Sequence, residues 1–549
     1  MGEKILRGHI LDVVNKQITN GELHIKNGKI ASIVPITDLE NNAPYIMPGF
    51  IDSHVHIESS MLLPSHYADV AIRHGVIGCV CDPHEIANVC GMQGIDYMIE
   101  DSRKRNFHFA FTAPSCVPAT PFETSGFSLN SNEVRKLLSE NEVVGLAEMM
   151  NFPGVLNSDE EVMAKILAAK EVGKPIDGHA PMLSGKDLIK YAKAGISTDH
   201  ECSTLQEAEE KINAGMKIII REGSAAKNFE TLYPLIDKFP EDVMLCADDI
   251  HPDELLNGYI DILVKRSVKK GLSLWNILQA SSLNPVLHYN LPIGLLRIND
   301  SADMIVVDNL QDMNVILTFI NGECVYNSTD NTLDYNDLDN TEKNFPNNFH
   351  AIKIKEEDIK CTAQSSAIKV IKAKDKQLFT ESIICKANIK NNNIVSDIEN
   401  DILKIVVYNR YNQSKASVGF IKGFELKKGA LASTIAHDSH NIIAIGTSDS
   451  MIVKAINELI ENKGGICAVD EEKKEILCLP FGGLMTDERV EIVAEKYKSL
   501  NNFARELGCR FHVPFMTMAF LALLVIPELK ISDKGLFDVK NFCFTSVFA

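Results

Sequence analysis

Between residues 45 and about 295, short apolar runs alternate with stretches whose apolar positions recur every three to four residues. The runs predict eight strands: Ile46–His56, Val76–Asp82, Phe107–Ala113, Val143–Met149, Pro175–His179, Ile196–His200, Lys217–Arg221 and Val243–Asp248. The amphipathic stretches between them, such as Ser131–Ser139, Asp159–Glu171, Gly185–Ala194 and Thr204–Ala214, predict helices. Eight βα units in this length predict an α/β fold of the (β/α)8 TIM-barrel type. The flanks are patterned differently. Lys4–Asp12, Glu22–Lys26 and Lys29–Pro35 read as short strands, the last two split by Asn27-Gly28, a strong hairpin signal. A related pattern returns at Asp303–Asp308 and Val315–Tyr326, with a second Asn-Gly at 321–322. Residues 1–44 and 296–326 therefore predict one composite small β-domain built from both flanks of a barrel over 45–295. Residues 327–349 are rich in Asn, Asp and Thr and predict an exposed linker. The remainder, 350–549, predicts an additional α+β domain containing Lys415–Phe424, Ala432–Gly446 and an acidic amphipathic helix near Met451–Asn462.

The ends of the predicted barrel strands carry the chemistry. His54, His56, Glu148, His179, His200 and Asp248 each fall at the end of such a run. A His-x-His on one strand sends both imidazoles to the same face, because side chains repeat every two residues. The inventory suits two divalent cations held by mixed nitrogen and oxygen ligands, with positions left open for water. A lone His-x-His would be weak evidence, since histidine is commonly satisfied in a core or on a surface. Six ligand types at successive strand ends are stronger, because such barrels place their chemistry at the carboxyl ends of the strands.

Composition narrows the classes. The chain has 549 residues and a formal net charge of −19, which argues against a nucleic-acid backbone or an anionic membrane as partner. Thirteen cysteines are scattered without a Cys-x-x-Cys pair, and Cys79 and Cys81 alternate within one apolar strand. They read as reduced, mostly buried thiols of a cytoplasmic protein. The first ten residues lack a continuous apolar segment, and Phe515–Ile526 is too short to span a bilayer and reads as a buried helix or strand.

Pro48-Gly49-Phe50-Ile51-Asp52-Ser53-His54-Val55-His56 resembles the first-strand motif of the amidohydrolase superfamily. Ile57-Glu58-Ser59-Ser60-Met61, Asp82-Pro83-His84-Glu85-Ile86-Ala87-Asn88 and Leu146–Asn151 are similar to the bacterial adenine deaminases within it. So are Asp177-Gly178-His179-Ala180-Pro181, Ala247–Pro252 and, beyond the barrel, His437-Asp438-Ser439-His440-Asn441-Ile442. The resemblance covers nearly the whole chain, with no departure at a ligand position. Hydantoinase-like members bridge their metals through a carboxylated lysine, whereas here the fourth strand ends in Glu148. A glutamate bridges two cations unmodified, which speaks against the cyclic-amide hydrolases but not against a sugar-amide deacetylase. Asp249, directly after Asp248, suits recognition of a purine ring nitrogen.

What the resemblance implies is a hydrolase of purine salvage. His54, His56, His179, His200, Glu148 and Asp248 hold two cations and a bridging hydroxide that attacks C6 of adenine, releasing ammonia and leaving hypoxanthine. Asp248 is the first choice of proton carrier and Glu58 the second, while Asp249 orients the ring. The implied metals are Mn2+ or Fe2+, two per chain, with Zn2+ also admitted; apart from the resemblance, the composite β-domain and added C-terminal domain leave ample surface for a homodimer. The resemblance brings His437 and His440 to the substrate; their spacing alone also fits ligands or a packed turn. His84 and Glu85 read equally as a supporting pair, a further metal site or a loop cap. Asp249 has a competing reading as a helix cap, His251 reads as a loop histidine, and Met149 and Met150 as core or pocket lining. The rivals are another aminopurine deaminase, an N-acetyl-sugar-phosphate deacetylase and a catalytically silent ligand-binding relative. A phosphate substrate needs a cation at the mouth, and Arg221 is the only obvious one.

Overall fold

The computed structural model describes residues 3–40, 42–224, 226–329, 345–375 and 377–549. The chain forms two compact units, the first from Met1–Pro83, Met98–Ser115 and Asn130–Lys343, the second from His84–Tyr97, Cys116–Leu129 and Asn344–Ala549.

Unit 1 begins with β1 (Lys4–Asp12), β2 (Gln17–Lys26), β3 (Lys29–Pro35) and β4 (Tyr45–Pro48). Eight strands follow: β5 (Phe50–Val55), β6 (Val76–Cys81), β7 (His108–Ala113), β8 (Val143–Met149), β9 (Ile176–Gly178), β10 (Thr198–Asp199), β11 (Lys217–Arg221) and β12 (Val243–Cys246). It ends with β13 (Met304–Val307), β14 (Val315–Ile320) and β15 (Glu323–Asn327). Strands β5 to β9 pair in parallel in chain order, as do β10 to β12. Between β9 and β10 the Ser197 N–H donates to Ile176 O at 2.8 Å. The ring closes at a parallel bridge between Val55 and Asp248, where Asp248 N–H donates to His54 O at 3.0 Å and His56 N–H to Asp248 O at 3.3 Å. This is the (β/α)8 barrel. Its helices start where the sequence provides a cap: Asn130 accepts from Asn132 N and Glu133 N ahead of Ser131–Leu138, and Thr204 accepts from Glu207 N ahead of Leu205–Asn213.

The expected strand Ile46–His56 is in fact two. Pro48 has no N–H to donate, and a Cβ on Gly49 would lie 2.5 Å from Ile77 Cγ2, so the chain crosses between sheets at the one residue type that fits. Tyr45–Pro48 joins a seven-stranded sheet ordered β15-β14-β13-β4-β1-β2-β3, which takes its strands from both flanks of the barrel. Ile10, Leu23, Ile25, Ile30, Ile46, Met304, Val306 and Phe319 form its core, each buried side chain stabilising by about 1.5–3 kcal/mol. β2 starts at Gln17 rather than Glu22, because Gln17–Gly21 continue the ladder with Gly8–Asp12. Val315–Tyr326 is a hairpin turned at Asn321-Gly322, both with positive φ (52° and 76°).

In unit 2 an eight-stranded sheet runs Glu381–Lys386, Ala367–Lys372, Ser417–Lys422, Leu403–Tyr408, Ile442–Gly446, Ala430–Ser433, Gly465–Val469, Lys474–Cys478. Helix Asp449–Glu461 buries Ile452, Ala455, Ile456 and Leu459, one face of a 3.6-residue period, in a cluster with Val406, Ala432 and Ala444. Residues 84–97 and 116–129, which the linear reading assigns to the barrel segment, belong to this unit. The expected linker falls largely on residues 330–344, outside the described ones. Pro514–Ala519 is a short, largely buried helix, and among the described residues no helix is long and apolar enough to cross a membrane. The cysteines are free thiols and most are buried.

One buried carboxyl of unit 2 gives a stability prediction. Burial, then the charge of Asp438, pushes Glu123 up to about 8 against the Thr120 and Ser439 hydrogen bonds. The folded state therefore keeps a proton that the unfolded chain releases near the ordinary glutamate value, and stability falls as pH rises from there toward 8. The loss is on the order of 5 kcal/mol at one unit per 1.36 kcal/mol. Glu123→Gln is expected to raise the melting temperature at pH 8 and to change it little at pH 5; a variant equally stable with wild type at both pH values would contradict the assignment.

Candidate metal centre

The six strand-end residues converge within unit 1. Glu148 lies inside β8, whereas His56, His179 and His200 lie one residue, and Asp248 two residues, past their strands. Glu148 is the hub: Oε1 is 3.4 Å from His56 Nε2, and Oε2 is 2.6 Å from His179 Nδ1 and 3.2 Å from His200 Nε2. Asp248 Oδ1 is 3.3 Å from His56 Nε2 and 3.7 Å from His54 Nε2. Donor atoms of His54, Glu148 and His200 lie within 4.8 Å of one another, and so do those of His54, His56 and Asp248. The His54 and His200 rings stack with centroids 4.3 Å apart. The Glu148 carboxylate thus has one oxygen toward one imidazole and the other toward two more.

The donor chemistry fits metal. His54 Nε2 and His200 Nδ1 are buried and have no hydrogen-bond partner, a cost a native core rarely leaves uncompensated. Burial, then the charges of His200 and His56, holds His54 well below its ordinary value, so its ring is neutral with a lone pair to give. His56 Nδ1 meets the Asp82 carbonyl at 3.1 Å; donating there leaves Nε2 as the ligand nitrogen, the usual arrangement around a metal-bound imidazole. Burial would raise Glu148, but His179 foremost, with His200 and His56, keeps it well below the carboxylate range.

Several supporting groups were not singled out from the sequence. Asp52, fully buried, accepts from His54 N at 3.1 Å, Ala247 N at 3.1 Å and Tyr259 OH at 2.6 Å, tying β5 to the segment that carries Asp248. Burial raises it to about 7. Asp177 similarly accepts from Thr198 Oγ1 at 2.7 Å and Tyr289 OH at 2.9 Å behind His179. Their signal was available: each lies two residues before a ligand histidine. Ser59 donates to Asp249 Oδ1 at 2.5 Å. The next helix starts at Pro252 with His251 in the cap position, so Asp249 is not its cap residue. Glu58 is buried in the turn Ile57–Ser60, and Met149 and Met150 are buried. Arg221 donates to Asp248 Oδ2 at 2.5 Å and to Glu201 at 2.5 and 2.9 Å. Two carboxylates already neutralise Arg221, the cation at the barrel mouth that a phosphate-bearing substrate would have needed.

His437 and His440 lie in unit 2, as does Glu85. His437 Nδ1 is 2.5 Å from Glu85 Oε1, and His440 Nε2 contacts Oε2. His84 Nε2 is 3.6 Å from the same carboxylate. Such a trio is a metal candidate by type, but the Ala436 N–H donates to His440 Nδ1 at 3.3 Å. The ring proton then sits on Nε2 and points at Glu85. A protonated nitrogen does not ligate, so these residues form a hydrogen-bonded carboxylate clamp. Burial, which lowers His440 to about 4, agrees with a neutral ring.

Known proteins match over the same lengths. A family model described as the amidohydrolase family matches residues 45–325, and one described as the adenine deaminase C-terminal domain matches residues 377–543. The chain is 49% identical over 563 residues to an adenine deaminase of Methanosarcina mazei, with 99% of each chain covered. It is 46% identical over 548 residues to one of Borreliella burgdorferi, covering 98% of each. A third, of Salinibacter ruber, is 46% identical over 545 residues, 99% of this chain and 98% of that one.

Proposed function

The chain belongs to the adenine deaminases of the amidohydrolase family, metal-dependent hydrolases, and from that premise we propose that it hydrolyses adenine at C6 to hypoxanthine and ammonia at a pair of divalent cations. The observation that carries the reading is the convergence of the six donor residues on one largely buried centre, with Glu148 against His56, His179 and His200, and His54 and His56 grouped with Asp248. His54, His56, Glu148, His179, His200 and Asp248 would hold the two ions. The ions, when bound, lower the pKa of water so that a nucleophile exists near neutral pH.

The chain's own groups do the rest. Asp248 carries the proton released by the attacking water to the purine or to the departing amine, with Glu58 the second choice. Asp249, its carboxylate turned by the Ser59 hydroxyl, accepts a hydrogen bond from a purine N–H and fixes the ring. Buried donors and acceptors matched to the substrate reject analogues that lack the partner atom. The donor set holds imidazole and carboxylate and no thiolate, which suits manganese or iron and admits zinc.

Chelation tests the proposal. Stripping the protein is expected to abolish adenine turnover, and about two equivalents of Mn2+ or Fe2+ per chain should restore it. Full turnover by metal-free protein would sink the reading.

A further inference from the structure

Arg221 is a cation set among cation ligands, and that position calls for a role. Three successive strand ends meet at it: Glu201 follows β10, Arg221 closes β11 and Asp248 follows β12. Its guanidinium grips Glu201 through both oxygens and reaches Asp248 Oδ2 with Nη1. The backbone of Arg221 is held as well, since its N–H donates to Asn228 Oδ1 at 2.9 Å while Asn228 Nδ2 donates to His200 O and Cys202 O at 3.1 Å each. The segment bearing Glu201 and the strand bearing Arg221 are thereby locked together.

Asp248 needs such a hold. Its backbone sits in the left-handed region (φ 59°), pinned by hydrogen bonds to His54 O and from His56 N, so only the side-chain torsions remain free. Its two oxygens are divided: Oδ1 faces His56 and His54, and Oδ2 is taken by Arg221. We propose that Arg221, buttressed by Glu201, is a positioning residue that keeps Asp248 a one-oxygen ligand by occupying Oδ2. The inference rests on the metal-centre reading above. Glu201 offsets the charge that would otherwise repel cations, and the planar fork of arginine satisfies both carboxylates at once, which a lysine cannot do. Without Arg221 the Asp248 carboxylate is free to turn and chelate through both oxygens, misplacing the second Oδ2 lone pair that, beside the guanidinium, must take the proton.

The test uses the full chain as Arg221→Met, Arg221→Lys and Glu201→Gln, with melting temperature checked first. Each variant is expected to retain two metal equivalents and a KM for adenine within about threefold of wild type, because Asp249 is untouched. Arg221→Met should lose about 100-fold in kcat, the scale of a one-ångström misplacement. Arg221→Lys should regain only part of it, and Glu201→Gln should fall between. Unchanged kcat, an effect confined to KM, or a lost metal equivalent would each overturn the proposal. The Co2+-loaded proteins give a readout that needs no adenine: Arg221→Met should shift and weaken the visible d–d bands as Asp248 adds a second oxygen. Superimposable spectra would overturn the positioning role, whereas absent deamination by wild type with altered spectra would fault only the substrate assignment.

Discussion

His54→Ala is expected to lose bound metal and adenine turnover together, the largest single effect in the molecule. His54 Nε2 is buried with no hydrogen-bond partner, and His54 belongs to two of the three-residue donor groups at the centre. β5 is held in place there, its backbone locked to Asp248. Losing an outer-shell partner of a metal typically costs about 10- to 100-fold, so a direct ligand should cost more than about 1,000-fold in kcat/KM. Metal analysis beside the assay checks it. Normal metal content with full turnover would refute the assignment as a ligand.

Asp249→Asn should separate substrate recognition from metal binding. Asp249 is not in the donor group that joins Asp248 to His54 and His56, and its Oδ1 accepts from Ser59. Metal content should therefore stay at the wild-type level. Turnover of adenine should fall by about 100-fold or more, since a site built on hydrogen bonds loses heavily when one partner is removed. The amide retains an acceptor for Ser59, so local geometry survives while the negative charge and one acceptor are lost. An unchanged kcat/KM would remove Asp249 from the site.

Much of this architecture was legible in the chain. The eight barrel strands stand out because each is a short apolar run, and the caps at Asn130 and Thr204 mark helix starts by residue type. The six candidate donors are legible because period-two projection and strand-end position are local properties, and the structure brings their side chains together. What pattern could not deliver was pairing. Glu85 meets His437 and His440 across more than 350 residues, and nothing in either segment names the other. Arg221 read as a free cation at the barrel mouth, because charge balance by Glu201 and Asp248 exists only after three strand ends come together. Asp52 and Asp177 stand two residues before a histidine in their motifs, a spacing that marks them but does not say which neighbouring strand each anchors. The break at Gly49 was visible as Pro48-Gly49, yet the apolar run continues through it; the close approach of Ile77 is a tertiary fact.

The most direct test of the account is the ultraviolet spectrum of adenine incubated with manganese-loaded protein, with released ammonia assayed in the same sample. Conversion to hypoxanthine with one ammonia per purine is expected, abolished by chelation and absent in His54→Ala. An adenine spectrum that stays unchanged with both metals bound would contradict it.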